Sequence, residues 1–219
     1  VRKRIDLGGD TYVTGKINAE RLDELCRILK EFSGIMKTYK VSAYKAYGTS
    51  AIREAENSKI VLDQIEQRTG IKIDVLSNSE QRFLHYKAIA FTGESFQNVI
   101  KEGTAIVDIG GGSIQISLFD KDMLVSTQNI KLGVLRVQEW LHQMNIKSSQ
   151  MESLVDEIAS SQLNTYKKLY LKDSQIKTLI VVDDYLSLWI AGKTRASGKE
   201  AMVSMEEYEK FLGMLRNAP

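Results

Sequence analysis

One aspartate, three consecutive glycines and a serine make the densest concentration of chemistry in the sequence: Asp108-Ile109-Gly110-Gly111-Gly112-Ser113. The apolar run Ala105-Ile106-Val107 before them reads as a buried strand. After them Ile114, Ile116 and Leu118 alternate with Gln115, Ser117 and Phe119, the period of a second strand. Asp120-Lys121-Asp122 reads as a turn and Met123 to Gln128 as a returning strand. A glycine run permits positive φ and lets backbone N–H groups face outward with no Cβ in the way, which suits a phosphate cradle. Dinucleotide and Walker-type loops need a helix directly after the glycines, and a strand follows here, so neither applies. A carboxylate just before the loop suits Mg²⁺ held through water. The competing reading is a glycine-rich hairpin turn with no ligand.

Other chemically capable residues are less concentrated. His85 and His142 have no partners at metal-ligand spacing and read as surface or half-buried helix positions. Asp183-Asp184 reads as a strand-end turn with a helix cap rather than a metal pair. Trp140 and Trp189 lie in apolar helical contexts, and Lys167-Lys168 reads as a solvated helix face. Cys26, the single cysteine, excludes an intramolecular disulfide and fits a reducing cytoplasm.

The elements that must position the loop alternate between strand and helix. Arg2 to Leu7 reads as a strand entering Gly8-Gly9, followed by a helix from Ala19 to Lys37 with Asn18 as its cap. Ser42 to Tyr47 reads as a strand and Gly48 to Ala55 as a turn and short helix. Ser58 is placed to cap a helix Lys59 to Thr69 closed by Gly70, before a strand Ile71 to Leu76. Ser77 and Glu80 stand at capping-box spacing before a helix to Phe91 that carries Phe83, Leu84 and Ala88. Gly93 to Gly103 is the best domain boundary. Beyond the hairpin come helices Val134 to Met144 and Ser149 to Leu171, a strand Lys177 to Val182, a helix near Tyr185, and a last helix opened by Ser204-Met205-Glu206-Glu207. This alternation argues an α/β layer fold with a mixed sheet.

The bulk numbers agree with an ordinary globular chain. Its 219 residues suit one large or two small domains, and a net charge of +2 marks no general nucleic-acid or membrane-surface binder. No apolar run is long enough to span a bilayer.

Four stretches together resemble the exopolyphosphatase/guanosine pentaphosphate phosphatase family of the actin, sugar-kinase and heat-shock ATPase superfamily. They are Gly48-Thr49-Ser50-Ala51-Ile52-Arg53-Glu54-Ala55, Val75 to Tyr86, Val107 to Ser113, and Lys131-Leu132-Gly133-Val134-Leu135-Arg136. The resemblance implies two ribonuclease H-like domains around a cleft, 1–100 and 101–219. It implies hydrolysis of terminal phosphoanhydride bonds in polyphosphate or guanosine pentaphosphate, with Mg²⁺. Arg53, Gly110, Gly111, Gly112 and Ser113 match its phosphate-binding positions, Asp108 its metal-associated aspartate, and Arg136 a recurrent arginine after the Leu-Gly turn. The family's first strand carries an Asp-Ile-Gly-Ser-Asn-Ser loop with no counterpart here, so the chain is expected to lack N-terminal strands and to self-associate through the open sheet edge.

Other departures touch catalysis. The family's base position, a glutamate, is Gln81, with Glu80 beside it. The glutamate of its Ser-Thr-Glu continuation, near the metal, is Gln115, and a later Gly-Gly-Thr loop is replaced by Val182-Asp183-Asp184-Tyr185. An amide can orient water but cannot accept its proton near neutral pH, so a slowing of about 10²–10⁴-fold and weaker Mg²⁺ binding are expected. Glu80 lies about 100° around the helix from Gln81 and has a capping role, which argues against its substituting as base. The two functional readings are therefore a weakened hydrolase and a non-catalytic polyphosphate or nucleotide-binding protein.

Overall fold

The computed structural model describes residues 1–91, 98, 100–144, 148–171, 175–183 and 203–216. By contact the chain divides into Val1–Ile180 and Val181–Pro219.

In the first unit, α1 (Leu7–Thr14) stands where the residue pattern predicts the end of a strand. The reason is local: Asp6 Oδ1 accepts from Gly9 N at 2.9 Å, which caps a helix, and Gly15 closes it in the left-handed region. Thr11 is buried and donates to Ala51 O at 3.0 Å, so this short helix is fixed by a tertiary bond as well as by its caps. Then follow α2 (Ala19–Thr38), β1 (Ala46–Gly48), α3 (Ser50–Glu54), α4 (Ser58–Thr69), β2 (Ile73–Val75) and α5 (Asn78–Ala90). Asn18 caps α2 as expected, its side chain accepting from Arg21 N. At the start of α4 the cap position is Asn57 rather than Ser58, and the Asn57 amide bonds the backbone of Ile17 on both sides instead of the helix. β1 and β2 pair in parallel, Ala46 with Ile73 and Gly48 with Val75. Ile17, Leu25, Cys26, Ile52, Ala55, Val61 and Ile65 form the core between α2, α3 and α4.

The second sheet contains β3 (Thr104–Ile109), β4 (Ile114–Asp120), β5 (Met123–Ile130) and β6 (Thr178–Val182), in the order β5-β4-β3-β6. The predicted turn between β4 and β5 is present, with Lys121 and Asp122 both at positive φ. The β3–β4–β5 register is antiparallel, and it sorts the side chains into two faces. Ala105, Ile116 and Leu118 occupy one face, packed on Tyr166 at the end of α7 (Ser148–Tyr166). A π-helical turn, Lys167–Leu171, continues that helix. Ile106, Asp108, Gln115, Ser117 and Phe119 occupy the other face, under α5. Tyr86 and Ile89 of α5 pack there against Ile106 and Phe119, and Tyr86 also donates to Ser117 Oγ at 2.6 Å. In chain order α6 (Val134–Gln143) comes between β5 and α7.

Two apolar residues of α5, Phe83 and Leu84, point the other way. Phe83 is 57% exposed and Leu84 37%, whereas the side turned to the sheet carries Gln81, His85 and Tyr86. The side of this helix turned toward the strands therefore mixes polar Gln81 and His85 with Tyr86 and Ile89.

The second unit contains α8 (Met205–Arg216), opened by the predicted capping box: Ser204 Oγ accepts from Glu207 N and Ser204 N donates to Glu207 Oε2. The expected helix near Tyr185, with Asp184 and Trp189, lies outside the described residues. So does most of the boundary segment, residues 93–97 and 99.

Candidate active site

The glycine loop is held by its carbonyls. Gly110 O accepts from Val134 N, Gly111 O from Arg136 N at 3.0 Å, and Gly112 O from Arg136 Nε at 2.8 Å. Gly110 N donates back to Ser113 O. The N–H groups of Gly111, Gly112 and Ser113 donate to no described residue. Consecutive backbone N–H groups without an acceptor are what an anion nest is built from; here Gly112 and Ser113 are themselves buried.

The glycines are needed for a different reason from the one their sequence suggests. None of Gly110, Gly111 and Gly112 takes a positive φ. Close approach is what demands them: a Cβ on Gly112 would collide with the Tyr12 hydroxyl, and one on Gly111 would stand 2.9 Å from Leu135 Cδ1. At Gly133 a Cβ would run into the backbone of Gly111 and Ser113, which cannot swing aside as a side chain can.

Arg136 is the support of the loop. It is buried, binds Gly112 O, pairs with Glu54 Oε2 at 2.7 Å and lies 4.2 Å over the Tyr12 ring. Lys131 Nζ adds a longer contact to the same Glu54 oxygen, 3.7 Å. The Tyr12 hydroxyl meets Ser50 Oγ at 2.9 Å beside Gly112, and burial pushes that phenol's pKa up. Residues from α1, α3, α6 and the loop thus share one hydrogen-bonded cluster.

Beside the loop, the strand register aligns Asp108, Gln115 and Asn129 as one rung across β3, β4 and β5. Asp108 and Gln115 are both buried. His85 Nδ1 lies 3.1 Å from Asp108 Oδ2, and this facing carboxylate pushes the imidazole's pKa up against its partial desolvation. Gln81 stands one helical turn before His85, on the same side of α5. The side-chain oxygens of Gln81, Gln115 and Asn129 are all buried without a hydrogen-bond partner. Such a group of orphaned acceptors marks a place for water or a ligand.

Two expected site residues are placed apart from this rung. Glu80 is held by the capping box, its Oε2 accepting from Ser77 N at 2.8 Å, and that backbone bond lowers its pKa. A carboxylate so held is a weaker base than a free one. Arg53 donates from Nη1 to Leu76 O at 2.5 Å and from Nη2 to Asn78 Oδ1 at 2.7 Å, tying α3 to the start of α5. Both terminal nitrogens of its guanidinium are engaged within the protein.

The donors at this rung decide what a Mg²⁺ would find there. The rung offers one carboxylate, already faced by an imidazole, and neutral amide oxygens. Among the described residues no group of three or more His, Cys, Asp or Glu is placed to hold a metal. Mg²⁺ keeps most of its waters and takes one or two carboxylates together with substrate phosphates, so Asp108, with the amide oxygen of Gln115 beside it, would hold it through water only once phosphate is bound.

Sequence reasoning missed His85, Asn129, Tyr12 and Glu54. Two signals were available: His85 is four residues after Gln81, and Asn129 faces Gln115 once the hairpin register is counted through the irregularity at Leu118/Phe119. Nothing local in the sequence joins Tyr12 or Glu54 to the loop.

The family model described as the Ppx/GppA phosphatase family matches residues 2–216. Exopolyphosphatase 1 of Mycobacterium leprae is 32% identical over 133 residues, 60% of this chain and 38% of that protein. The guanosine-5'-triphosphate,3'-diphosphate pyrophosphatase of Photobacterium profundum is 24% identical over 136 residues, 61% of this chain and 26% of that one. The chain therefore spans well under half the length of these curated relatives. A crystal structure of an exopolyphosphatase from Cytophaga hutchinsonii superposes with a TM-score of 0.69 at 18% identity, covering 94% of this chain and 64% of that one, which shows the shared α/β fold. By the family match and these likenesses, the chain belongs to the Ppx/GppA phosphatase family.

Proposed function

We propose that this protein binds the terminal phosphate of a phosphoanhydride chain on its glycine loop and hydrolyses it, taking polyphosphate or guanosine pentaphosphate as substrate. The observation that carries this reading is the loop's hydrogen-bond pattern. Three carbonyls are bound from within while the N–H groups of Gly111, Gly112 and Ser113 are left for an acceptor. Phosphate oxygens are strong acceptors, and preorganised N–H groups stabilise the charge that builds on them during displacement. The orphaned amide oxygens of Gln81 and Gln115 suit a water beside that phosphate. Family membership and the exopolyphosphatase relatives support the same substrate class.

A second reading, ligand binding without turnover, is favoured by one observation: amides stand at Gln81 and Gln115 where a hydrolase of this type would use carboxylates. The separating experiment measures phosphate released by the full chain from polyphosphate and from guanosine pentaphosphate, for wild type and for Gln81→Glu with Gln115→Glu. Release by the wild type supports the hydrolase; release by the double variant alone, with tight binding by the wild type, supports the binding protein. Tight binding with no release from either supports the binding protein.

A further inference from the structure

We propose that Arg53 is a positioning residue and not a phosphate ligand: it fixes Gln81, and the water Gln81 would orient, relative to the glycine loop. The inference rests on the phosphatase reading above. It departs from the role that the resemblance gives this arginine, because the guanidinium is engaged elsewhere. Nη1 donates to Leu76 O at 2.5 Å and Nη2 to Asn78 Oδ1 at 2.7 Å.

A planar fork held at two points has its direction fixed, which a flexible ammonium does not provide. The residue between the two acceptors is Ser77, the cap of α5. Ser77 O accepts from Gln81 N at 3.0 Å, and Ser77 shares the capping box with Glu80. Leu76 is gripped from its other side as well, its N–H donating to Gly48 O at 2.9 Å. The first turn of α5 is therefore tied to α3 and β1 on both sides of the residue that receives the Gln81 N–H. Gln81 itself carries a buried side-chain oxygen without a partner, an acceptor for a water hydrogen.

The next residue of α3 serves the loop. Glu54 Oε2 pairs with Arg136 Nη2 at 2.7 Å, and Arg136 Nε donates to Gly112 O at 2.8 Å. This five-residue helix is itself anchored, with Ile52 in the core and Ala51 O accepting from buried Thr11. Consecutive residues of one fixed helix thus set both the phosphate loop and the residue that would hold the water. In the hydrolysis the water oxygen bonds to the terminal phosphorus as the bridging P–O bond breaks. The bridging oxygen keeps the electron pair on the shortened chain, and one water proton is released to solvent. That displacement needs the water in line with the breaking bond, and a misplacement of about 1 Å costs about 10²-fold in rate.

The test assays phosphate release from polyphosphate of defined length by the full chain, with binding of the same polyphosphate measured by calorimetry. The forms compared are wild type, Asn78→Ala, Asn78→Asp, Arg53→Gln and Asn78→Ala/Arg53→Gln. Asn78→Ala removes one acceptor and leaves the guanidinium, so kcat should fall about 10- to 100-fold with affinity kept. Asn78→Asp gives Arg53 an acceptor again and should recover most of that loss. Arg53→Gln should also lower kcat with affinity kept, and Asn78→Ala should add little to it, since both break one contact. A phosphate ligand behaves in the opposite way: Asn78→Ala would free Arg53 and hold kcat and binding, Asn78→Asp would draw it from the phosphate, and Arg53→Gln would lose affinity. That pattern overturns the proposal and leaves the phosphatase reading standing. Wild type that binds polyphosphate but releases no phosphate overturns both. Should Arg53→Gln fail to fold, the two Asn78 variants decide alone: a wild-type kcat in Asn78→Ala overturns the proposal.

Discussion

At Gly112 the added Cβ of an alanine would collide with the Tyr12 hydroxyl and stand 2.9 Å from Ser50 Oγ. Gly112→Ala should therefore push Tyr12 off the loop and weaken phosphate binding without unfolding the chain, which calorimetry with polyphosphate would register. Gly133→Ala meets backbone on two sides, which cannot give way as a side chain can, and should cost about 1–3 kcal/mol in denaturant unfolding. Gly34, inside α2, has nothing within 4 Å of its would-be Cβ; Gly34→Ala should stabilise by about 0.5–1 kcal/mol in the same measurement. His85 adds a pH signature to stability. Its folded pKa is raised by Asp108, so its contribution is fully present below its unfolded value of about 6.5 and is lost as pH rises through the folded value. Comparing unfolding midpoints of wild type and His85→Gln across that range should show the slope vanish in the variant. At this scale the sequence was informative where chemistry is local: the Ser77/Glu80 box and the Asn18 cap formed as their spacing dictates. It was silent where partners are distant, as for Tyr12 and Ser50, 38 positions apart.

Among elements, the contact that matters most is the one Arg136 makes between α3, α6 and the glycine loop. Its guanidinium is buried, so Glu54→Gln leaves a charge short of its counterion. We expect a loss of about 3 kcal/mol, near the low end for buried pairs because the Glu54 side chain is 24% exposed. Since the same guanidinium fixes Gly112 O, KM for polyphosphate should rise more than kcat falls. Equal KM values for wild type and Glu54→Gln would show that the loop does not depend on the pair. Two elements departed from their sequence patterns for identifiable reasons. The run Arg2 to Leu7 has β-like residues, yet Asp6 satisfies the Gly9 N–H and a helix starts instead. Helix α5 carries Phe83 and Leu84 away from the second sheet, because Tyr86 and Ile89 pack on Ile106 and Phe119 and set the helix's rotation. Periodicity locates a helix and its length; it does not say which partner each side will meet.

At the scale of the molecule, the α/β class and the hairpin position of the glycine loop were legible, since strand and helix periods alternate clearly and the β3–β4–β5 pattern is regular. The rung of Asp108, Gln115 and Asn129 was not, because it exists only once the register is set. Among the described residues β1 pairs only with β2, and Tyr47, Phe83 and Leu84 are exposed nearby. An unpaired strand edge beside apolar side chains is expected to recruit a second copy of the chain. Light scattering should report a mass that rises with concentration, and a monomer throughout would contradict this. The account as a whole turns on whether three backbone N–H groups receive a phosphate. The most direct measurement follows the amide ¹H and ¹⁵N shifts of Gly111, Gly112 and Ser113 as polyphosphate is titrated into the full chain. These three amides should move downfield together and saturably, more than any others; saturable binding that leaves all three unmoved would contradict the account.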